Sequence, residues 1–338
     1  MMTAAIDIAT VWAFIIAFAV FVYVVMDGFD LGLGILFPLF PKKSDRDVIM
    51  NSVAPVWDGN ETWLVLGGGG LMAAFPLAYA VLMPALYTPM IAMLIGLIFR
   101  GVAFEFRWRT RPSERNRWDI PFFSGSLLAA LAQGVALGAI LQGVHVEARH
   151  YAGGWWDWLT PFSILTGIAV VIGYALLGAT WLVMKTDGPL RDKAYHLSWF
   201  LLFAMIGAIG AVSIATPFLH IQYTQRWFSW PGIVLTAPVP IAVAVVTALL
   251  LRSLARKRDY QPFFLTLTLF ALSYAGLGIS MWPYIVPQSI TIWQAASPEN
   301  SQIFMLFGVA VLIPLILGYT GWAYYVFRGK VKAGSGYH

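Results

Sequence analysis

The feature that most restricts this chain is a succession of apolar runs, each about twenty residues long, separated by short polar segments. A bilayer core about 30 Å thick is crossed by about 20 residues of helix, so these runs have the length of membrane spans. The composition agrees, because 59% of the 338 residues are hydrophobic and only 11% are charged. So few charges cannot cover a surface that faces water. We therefore expect an all-α polytopic membrane protein.

Nine segments qualify as spans. The second is the least apolar, because it carries Asp58, Asn60 and Glu61, and omitting it would leave eight. No loop exceeds about twenty residues, so we expect residues 1–338 to form a single transmembrane domain. The spans are approximately 9–38, 51–75, 78–106, 120–142, 160–184, 196–218, 232–251, 262–283 and 302–327.

The basic residues decide between eight spans and nine. With nine spans and an outside N-terminus, all of the 21 Lys and Arg residues except Arg149 and Arg226 fall on one side. Omitting the second span would put the basic residues of 42–46 opposite those of 107–117, against the rule that basic loops stay in the cytoplasm. The sequence thus predicts nine helices, N-terminus out and C-terminus in. The same rule explains the net charge of +5 without a nucleic-acid partner.

Ionisable residues are concentrated in the first three spans. Each costs on the order of 2.5–3.5 kcal/mol at the centre of a membrane helix, so such residues avoid lipid and are commonly functional. We expect the five acids to point into the protein, to be protonated, or to pair with Arg100 in span 3. The acids are Asp27 and Asp30 in span 1, Asp58 and Glu61 in span 2, and Glu105 in span 3.

Two interpretations of the span 1 acids remain open. Asp27 and Asp30 are three residues apart, which places them on one helix face. In the structural interpretation they pair with Arg100 and join span 1 to span 2, with Gly28 and Gly32 allowing close approach. Trp57 and Asn60 of span 2 belong to the same predicted structural cluster. In the functional interpretation they belong to a proton relay.

The functional interpretation is favoured for Asp58. It lies beside Asn60 and Glu61 and follows Trp57, a little over two turns inside the start of span 2. Carboxylates that run inward from one membrane face are typical of a proton relay, because each can be protonated briefly and pass the proton on through water.

The histidines lie away from the middle of the spans. His145, His150, His220 and His338 fall in loops or at the terminus, and His196 falls at the end of span 6. A haem inside the bilayer normally needs an axial ligand such as His at that depth. The lack of cysteine also excludes thiolate metal sites. We therefore expect no haem, no metal and no complete active site in this chain.

Four motifs in the first 110 residues resemble subunit II of the cytochrome bd-type quinol oxidases. They are MDGFDLGLGILFP (26–38), NSVAPVWDGNETWL (51–64), FPLAYAVLMPALY (75–87) and LIFRGVAFEFR (97–107). The similarity is looser, but consistent in span order, to the C-terminus. The stretches WDGNETW and FRGVAFEFR are most similar to the cyanide-insensitive branch.

The resemblance implies a terminal oxidase of aerobic respiration in a bacterial inner membrane. A haem-bearing subunit I would carry the b and d haems, oxidise quinol and reduce O2. This chain would be its haem-free partner, stabilising subunit I and contributing a cytoplasmic proton path. Its helices would form two four-helix bundles, 1–142 and 160–283, with 302–327 as a peripheral ninth helix. The resemblance does not decide whether a structural quinone or a small accessory subunit is present.

The resemblance also assigns residues to the proton path. The acid of the WDG motif corresponds to Asp58, and the acid and base of the following FR motif correspond to Glu105 and Arg109. Other branches of the family can have an uncharged residue at the position of Glu61. Only its position near Asp58 therefore supports a role for Glu61 in the proton path. The expected path is therefore Asp58, Glu61, Glu105 and Arg109.

Two other functions remain open. A proton-coupled transporter or an ion channel would also use buried carboxylates and broken helices. Here, however, the acids are confined to one end and no second half repeats them. An assembly scaffold would need no proton role. A transporter should be colourless and alone when purified, whereas an oxidase subunit should co-purify with a haem-bearing partner.

Overall fold

The computed structural model describes residues 7–111 and 113–331. Lys332, one of the basic residues counted above, and His338 lie outside the described residues. The described part is mostly helical, and its only strands form two short antiparallel hairpins, β1 (Val146–Glu147) with β2 (His150–Tyr151), and β3 (Tyr284–Val286) with β4 (Ile290–Thr291).

Fourteen helices follow one another along the described residues. They are α1 (Ile8–Leu36), α2 (Lys43–Asn51), α3 (Trp57–Ala74), α4 (Pro76–Ala85), α5 (Tyr87–Arg109), α6 (Asn116–Leu141), α7 (Pro161–Lys185), α8 (Gly188–Leu219), α9 (Ile221–Phe228), α10 (Ile233–Thr236), α11 (Pro238–Ala255), α12 (Gln261–Met281), α13 (Ile292–Ala295) and α14 (Glu299–Val326). A 3-10 turn, Phe37–Leu39, extends α1.

Within the described ranges, eight helical segments are long and apolar enough to cross a membrane. A ninth results when α3 and α4, which are bent by 120° at Phe75, count as one broken span. By itself α3 has 18 residues, or about 27 Å at 1.5 Å per residue. The polytopic all-α class is therefore confirmed, and the count of eight to nine spans includes the predicted nine.

The loops that carry most of the basic residues lie together at one end of the helices, which we call the basic end. Arg46 pairs with Asp119 at 2.8 Å, and Arg191 pairs with Asp259 at 3.3 Å. Lys193 donates to the carbonyl of Leu39, which joins the two groups of loops. The described segments at this end are 39–47, 107–111, 113–119, 185–193, 256–260 and 327–331.

The remaining loops meet at the opposite end. The indole of Trp293 donates to Asp7 at 2.7 Å, so the start of α1 lies here. The ring of Tyr87, at the start of α5, packs against Trp155 with centroids 5.9 Å apart. This alternation of ends along the chain fits nine crossings.

The predicted boundaries of spans 2 and 3 were wrong. Residues 43–51 form the separate helix α2, so the second span begins only at Trp57. The predicted span 78–106 is interrupted at Leu86, where α4 ends and α5 begins. Pro84 contributes to this break and Pro76 to the bend at Phe75, because proline lacks the N–H that continues a helical ladder. As a result α4 packs on the hairpins and α13 at the opposite end.

Glycines allow the central helices to approach closely. A Cβ atom at Gly32 of α1 would lie 1.8 Å from the carbonyl oxygen of Tyr174 in α7. A Cβ atom at Gly28 would lie 2.7 Å from the ring of the same tyrosine. Both positions were expected to face span 2, and that expectation was wrong, because they face α7. Close packing through small residues is the usual way in which membrane helices associate.

Candidate functional site

The inner part of α1 brings two acids into the interior of the helix bundle. Every residue from Asp27 to Gly34 is buried, so α1 is enclosed on all sides over these two turns. Asp27 is 0% exposed and Asp30 is 3% exposed. Buried charges of this kind must be paired or hydrogen-bonded, or else neutral.

Arg100 of α5 lies between two carboxylates. One guanidinium nitrogen donates to Asp27 of α1, and the other terminal nitrogen donates to Glu61 of α3. The side chains of Asp27 and Arg100 are almost fully buried, whereas that of Glu61 is 28% exposed. The ion triad therefore joins three helices and reaches from the interior to the edge of the bundle.

Asp30 has a different partner. Its Oδ2 accepts a hydrogen bond of 2.8 Å from the amide of Asn60, and Tyr324 of α14 donates to the same amide at 2.9 Å. Among the described residues Asp30 forms no ion pair, and its Oδ1 has no hydrogen-bond partner. We call Asp27, Asp30, Asn60, Glu61 and Arg100 the acid cluster.

A cavity of about 10 Å³ adjoins the acid cluster. Asp30 and Arg100 line it, and each retains one unpartnered polar atom, Oδ1 and Nε respectively. This volume accommodates about one water molecule, which needs two or more polar partners of this kind. It is too small for a quinone ring. The remaining lining residues are Val53, Trp57, Phe104 and Phe122.

Two of the five acids, Asp58 and Glu105, neither point into this chain nor pair with Arg100. Asp58 lies in the first turn of α3 and is exposed, because α3 turns Asn60, Trp63 and Gly67 toward the interior. The Glu105 side chain is 52% exposed and lies 3.8 Å from that of Arg109, which is 78% exposed. Of the residues expected in a proton path, only Glu61 belongs to the acid cluster.

The predicted structural residues do come together. Asp27, Asp30, Asn60 and Arg100 all belong to the acid cluster, whereas Trp57 lies half-buried beside it. The Trp57 ring packs against Phe104 with centroids 5.2 Å apart, at the wall of the cavity.

Sequence reasoning missed a line of polar groups next to the acid cluster. Tyr174 of α7 donates to Gln133 of α6 at 2.7 Å, and Gln133 donates to Tyr23 of α1 at 2.8 Å. Tyrosine is common in membrane helices and gives little signal. The amide of Gln133, in the middle of an apolar run, was the available clue.

None of the described histidines is buried inside the helix bundle. His145, His150 and His196 are exposed. His220 is half-buried, and its Nε2 already contacts the carbonyl of Gln142 at 2.7 Å. Within residues 7–111 and 113–331, no group of three or more His, Cys, Asp or Glu side chains could hold a metal ion.

The fold and the acid cluster together define a multi-pass membrane protein with an ion network inside its helix bundle. A family model, "Cytochrome bd terminal oxidase subunit II", matches residues 8–327. The chain therefore belongs to the cytochrome bd terminal oxidase subunit II family. The resemblance read from the four motifs is confirmed.

Individual relatives agree with the family. The chain is 32% identical to "Cytochrome bd-I ubiquinol oxidase subunit 2" of Escherichia coli (strain K12), covering 95% of this chain and 94% of that protein. It is 31% identical to "Probable cytochrome oxidase subunit 2" of Haemophilus influenzae, covering 96% and 95%. In "The structure of bd oxidase from Geobacillus thermodenitrificans", one chain shares the fold, with a TM-score of 0.73, 18% identity and coverage of 94% and 98%. The chain is thus a subunit of a terminal oxidase, which is an oxidoreductase complex.

Proposed function

We propose that this chain is the haem-free subunit of a bacterial terminal oxidase, that it stabilises a haem-bearing subunit I, and that it supplies protons to it from the cytoplasm. The observation that carries the proton path is the position of Glu61, whose side chain is 28% exposed and yet bonds to the buried Arg100. Reduction of oxygen to water consumes protons, so an acid that connects the bundle edge to its interior suits their delivery.

The proposed orientation places the basic end in the cytoplasm of a bacterial inner membrane, with the N-terminus outside. The support is the positive-inside rule together with the contacts that bring the basic loops to one end. Protons would then enter from the side on which the acids of α3 and α5 lie.

The proposed path begins at the exposed acids Asp58 and Glu105, with Arg109 beside the latter, and continues through Glu61 to the acid cluster. Asp58 lies one turn before Glu61 on α3. Beyond Glu61, Arg100 contacts Asp27, and the cavity beside Asp30 has room for one water molecule. A water there would join Asp30 to Arg100.

The exposure of Asp58 and Glu105 supports a partner on the same face. A charged side chain at membrane depth costs several kcal/mol when it faces lipid. We propose that subunit I covers the outward faces of α3 and α5, where these acids lie beside exposed apolar side chains such as Val65 and Ile98. The two acids would then open onto the subunit interface.

The proposed arrangement has one four-helix bundle in 1–142, a second in 160–283 and a peripheral helix in 302–327. Support for the peripheral helix comes from α14, in which Gln302 is the only buried residue among those described. The b and d haems would belong to subunit I, since none of the described histidines is buried inside the helix bundle.

The test is Asp58→Asn in the complete oxidase. Asn preserves the size of Asp but cannot ionise. We expect an assembled complex with an intact haem spectrum and oxygen consumption with quinol at least about tenfold slower, a barrier increase of about 1.4 kcal/mol. Normal turnover would show that protons enter elsewhere.

The haem-free assignment has its own test. The chain expressed without subunit I should show no haem Soret band after purification. A stoichiometric haem retained by the chain alone would refute the assignment.

A further inference from the structure

Three side chains from three helices form a hydrogen-bonded line that ends next to Asp27. Tyr174 and Tyr23 are 1% and 4% exposed, so both hydroxyls are inside the bundle. Tyr174 donates to Oε1 of Gln133, and Nε2 of Gln133 donates to the hydroxyl oxygen of Tyr23. Nothing in the proton path proposed above requires this line.

The amide of Gln133 gives the line a direction. An amide has an acceptor end and a donor end, whereas a tyrosine hydroxyl can donate one hydrogen and accept others. Because Tyr174 uses the acceptor end, the donor end faces Tyr23. The hydroxyl oxygen of Tyr23 is therefore an acceptor toward Gln133, and its own hydrogen needs a different acceptor.

The candidate acceptor is Asp27. It lies four residues after Tyr23 on α1, which places the two side chains on one face. Oδ1 of Asp27 accepts from Arg100, while Oδ2 has no partner of ordinary hydrogen-bond geometry in the described chain. The Tyr23 hydroxyl interacts electrostatically with this carboxylate. If the Gln133 amide were reversed, Tyr23 would donate to Gln133, and its hydrogen would no longer be available to Asp27 Oδ2.

We propose that Gln133 and Tyr174 are positioning residues that aim the Tyr23 hydroxyl at the free oxygen of Asp27. With Arg100 on one oxygen and Tyr23 on the other, Asp27 remains a carboxylate while neighbouring acids take up and release protons. This inference rests on the proposed proton path. It deepens that proposal because it distinguishes Asp27, which keeps its charge, from the neighbouring acids that take up and release protons.

Asp27 is surrounded by titratable groups from every neighbouring element that contributes one. Loss of the Tyr23 hydrogen would let Asp27 compete with these groups for a proton, so the network as a whole would release its protons at higher pH. The groups are Tyr23 and Asp30 from α1, Glu61 from α3, Arg100 from α5, Tyr174 from α7 and Tyr324 from α14.

The experiment compares Tyr23→Phe and Gln133→Leu with Tyr274→Phe in the complete oxidase. Tyr274 is a matched control, because its hydroxyl also donates to α1, at 2.9 Å to the carbonyl of Ala17, without touching the acid cluster. Both test variants should move the midpoint of the pH–rate profile upward by about one pH unit, a tenfold change in proton affinity. The control should keep the wild-type profile. If Gln133→Leu prevents assembly, Tyr174→Phe tests the same link, because it removes the group that anchors the amide.

Infrared difference spectroscopy gives a second readout that does not depend on turnover. Tyr23→Phe should add a protonated carboxylic acid band that a further Asp27→Asn change removes. A wild-type pH profile and carboxyl spectrum in Tyr23→Phe would overturn the inference, as would an equal shift in Tyr274→Phe. A shift in Tyr23→Phe alone would overturn the role of Gln133 and Tyr174. If the Asp58→Asn and Glu61→Gln complexes turn over at the wild-type rate, the proposed proton path is refuted. The infrared band then still tests the contact between Tyr23 and Asp27.

Discussion

Glu61 and Arg100 form an ion pair between α3 and α5, and the Glu61 side chain is still 28% exposed, whereas that of Arg100 is 3% exposed. The same guanidinium contacts Asp27, whose side chain is 1% exposed. Arg100 therefore links a carboxylate at the bundle edge to one in the interior. Protonation of Glu61 would therefore change the charge that Asp27 experiences through their shared cation.

Glu61→Gln should slow the oxidase without preventing its assembly. Gln is as long as Glu and can still accept a hydrogen bond from Arg100, but it cannot carry a proton in and out. We expect an intact haem spectrum and quinol-dependent oxygen consumption at least about tenfold slower, equal to about 1.4 kcal/mol. An oxygen electrode measures the rate.

The matched control is Glu114→Gln at the basic end. Glu114 is exposed and pairs only loosely with Arg117 at 3.4 Å, and such surface pairs contribute about 0–1 kcal/mol. Turnover of the control should equal that of the wild type. If Glu61→Gln behaves like the control, Glu61 is not on the proton path.

Arg100→Leu should destabilise the protein strongly, because it leaves the buried Asp27 without its cation. Removing one partner of a buried ion pair typically costs about 3–5 kcal/mol. The double variant Arg100→Leu with Asp27→Asn should recover part of this loss, since it also removes the uncompensated carboxylate. The measurement is the yield and melting temperature of the purified complex. Equal values for the single and double variants would show that Asp27 is not the partner that matters.

Gly32→Ala should disrupt the contact between α1 and α7. The added Cβ would lie 1.8 Å from the Tyr174 carbonyl oxygen, which is backbone and cannot rotate away. Overpacking of this kind typically costs about 1–3 kcal/mol and occasionally more. Gly210→Ala on α8 is the control, since its Cβ would meet nothing within 4 Å. Thermal melting of the two complexes compares them, and equal melting temperatures would contradict the close approach.

The sequence was informative where charge interrupts an apolar run. Asp27, Asp30 and Arg100 were recognisable because ionisable groups at membrane depth need partners, and the structure places all three in the acid cluster. The outward direction of Asp58 was not predicted; on a helix its side chain points about 160° away from Asn60 and about 60° away from Glu61. Asn60 and Glu61 therefore reach the cluster while Asp58 remains outside. Packing against α1 decides which face of α3 points into the bundle. The spacing of residues in the sequence does not determine this packing.

Uncharged polar groups were harder to predict. Tyr23, Tyr174 and Tyr324 lie among many aromatic residues of a membrane protein, so their hydrogen bonds have no signature in the sequence. The break between α4 and α5 at Leu86 was also missed, because residues 78–99 carry no charge and Pro84 alone does not fix a direction. Membership of the cyanide-insensitive branch stays a prediction.

Cysteine labelling should place the segments 107–117 and 143–159 on opposite sides of the membrane. The chain contains no cysteine, so single substitutions give an unambiguous signal. Suitable sites are Arg117→Cys, with a side chain 81% exposed, and Trp155→Cys, with the residue 65% exposed. A membrane-impermeant maleimide applied to intact cells should label only the second. Labelling of both from outside would refute the nine-span topology.

The segment from Phe327 to Val331 is attached to the basic end by a small ion network. The amide of Val331 donates to the carbonyl of Lys185 at 2.8 Å. Lys330 contacts Asp259 at 2.6 Å and Asp187 at 2.7 Å. These groups lie outside the membrane-spanning helices, so their titration reports directly on the attachment.

The last prediction is that this attachment is strongest near neutral pH. Partial burial raises the pKa of Asp259, but the hydrogen bond and charge of Lys330 outweigh it, and the net pKa is lowered. Partial burial lowers the pKa of Lys330, but hydrogen bonds to Asp187 and Asp259 outweigh it, and the net pKa is raised.

A lowered carboxyl pKa stabilises the folded state above the unfolded value of about 3.9, and this contribution is lost as pH falls through the lowered pKa. A raised lysine pKa stabilises it below the unfolded value of about 10.4, and this contribution is lost as pH rises through the raised pKa. Hydrogen exchange of the 327–331 peptide, corrected for intrinsic rates, should therefore show protection across the neutral range and loss toward both extremes. Lys330→Met should increase exchange at neutral pH at least about threefold, whereas Lys257→Met, at a position with no ion pair among the described residues, should not. Equal exchange in the two variants would show that the backbone contact to Lys185, and not the ion network, holds the segment.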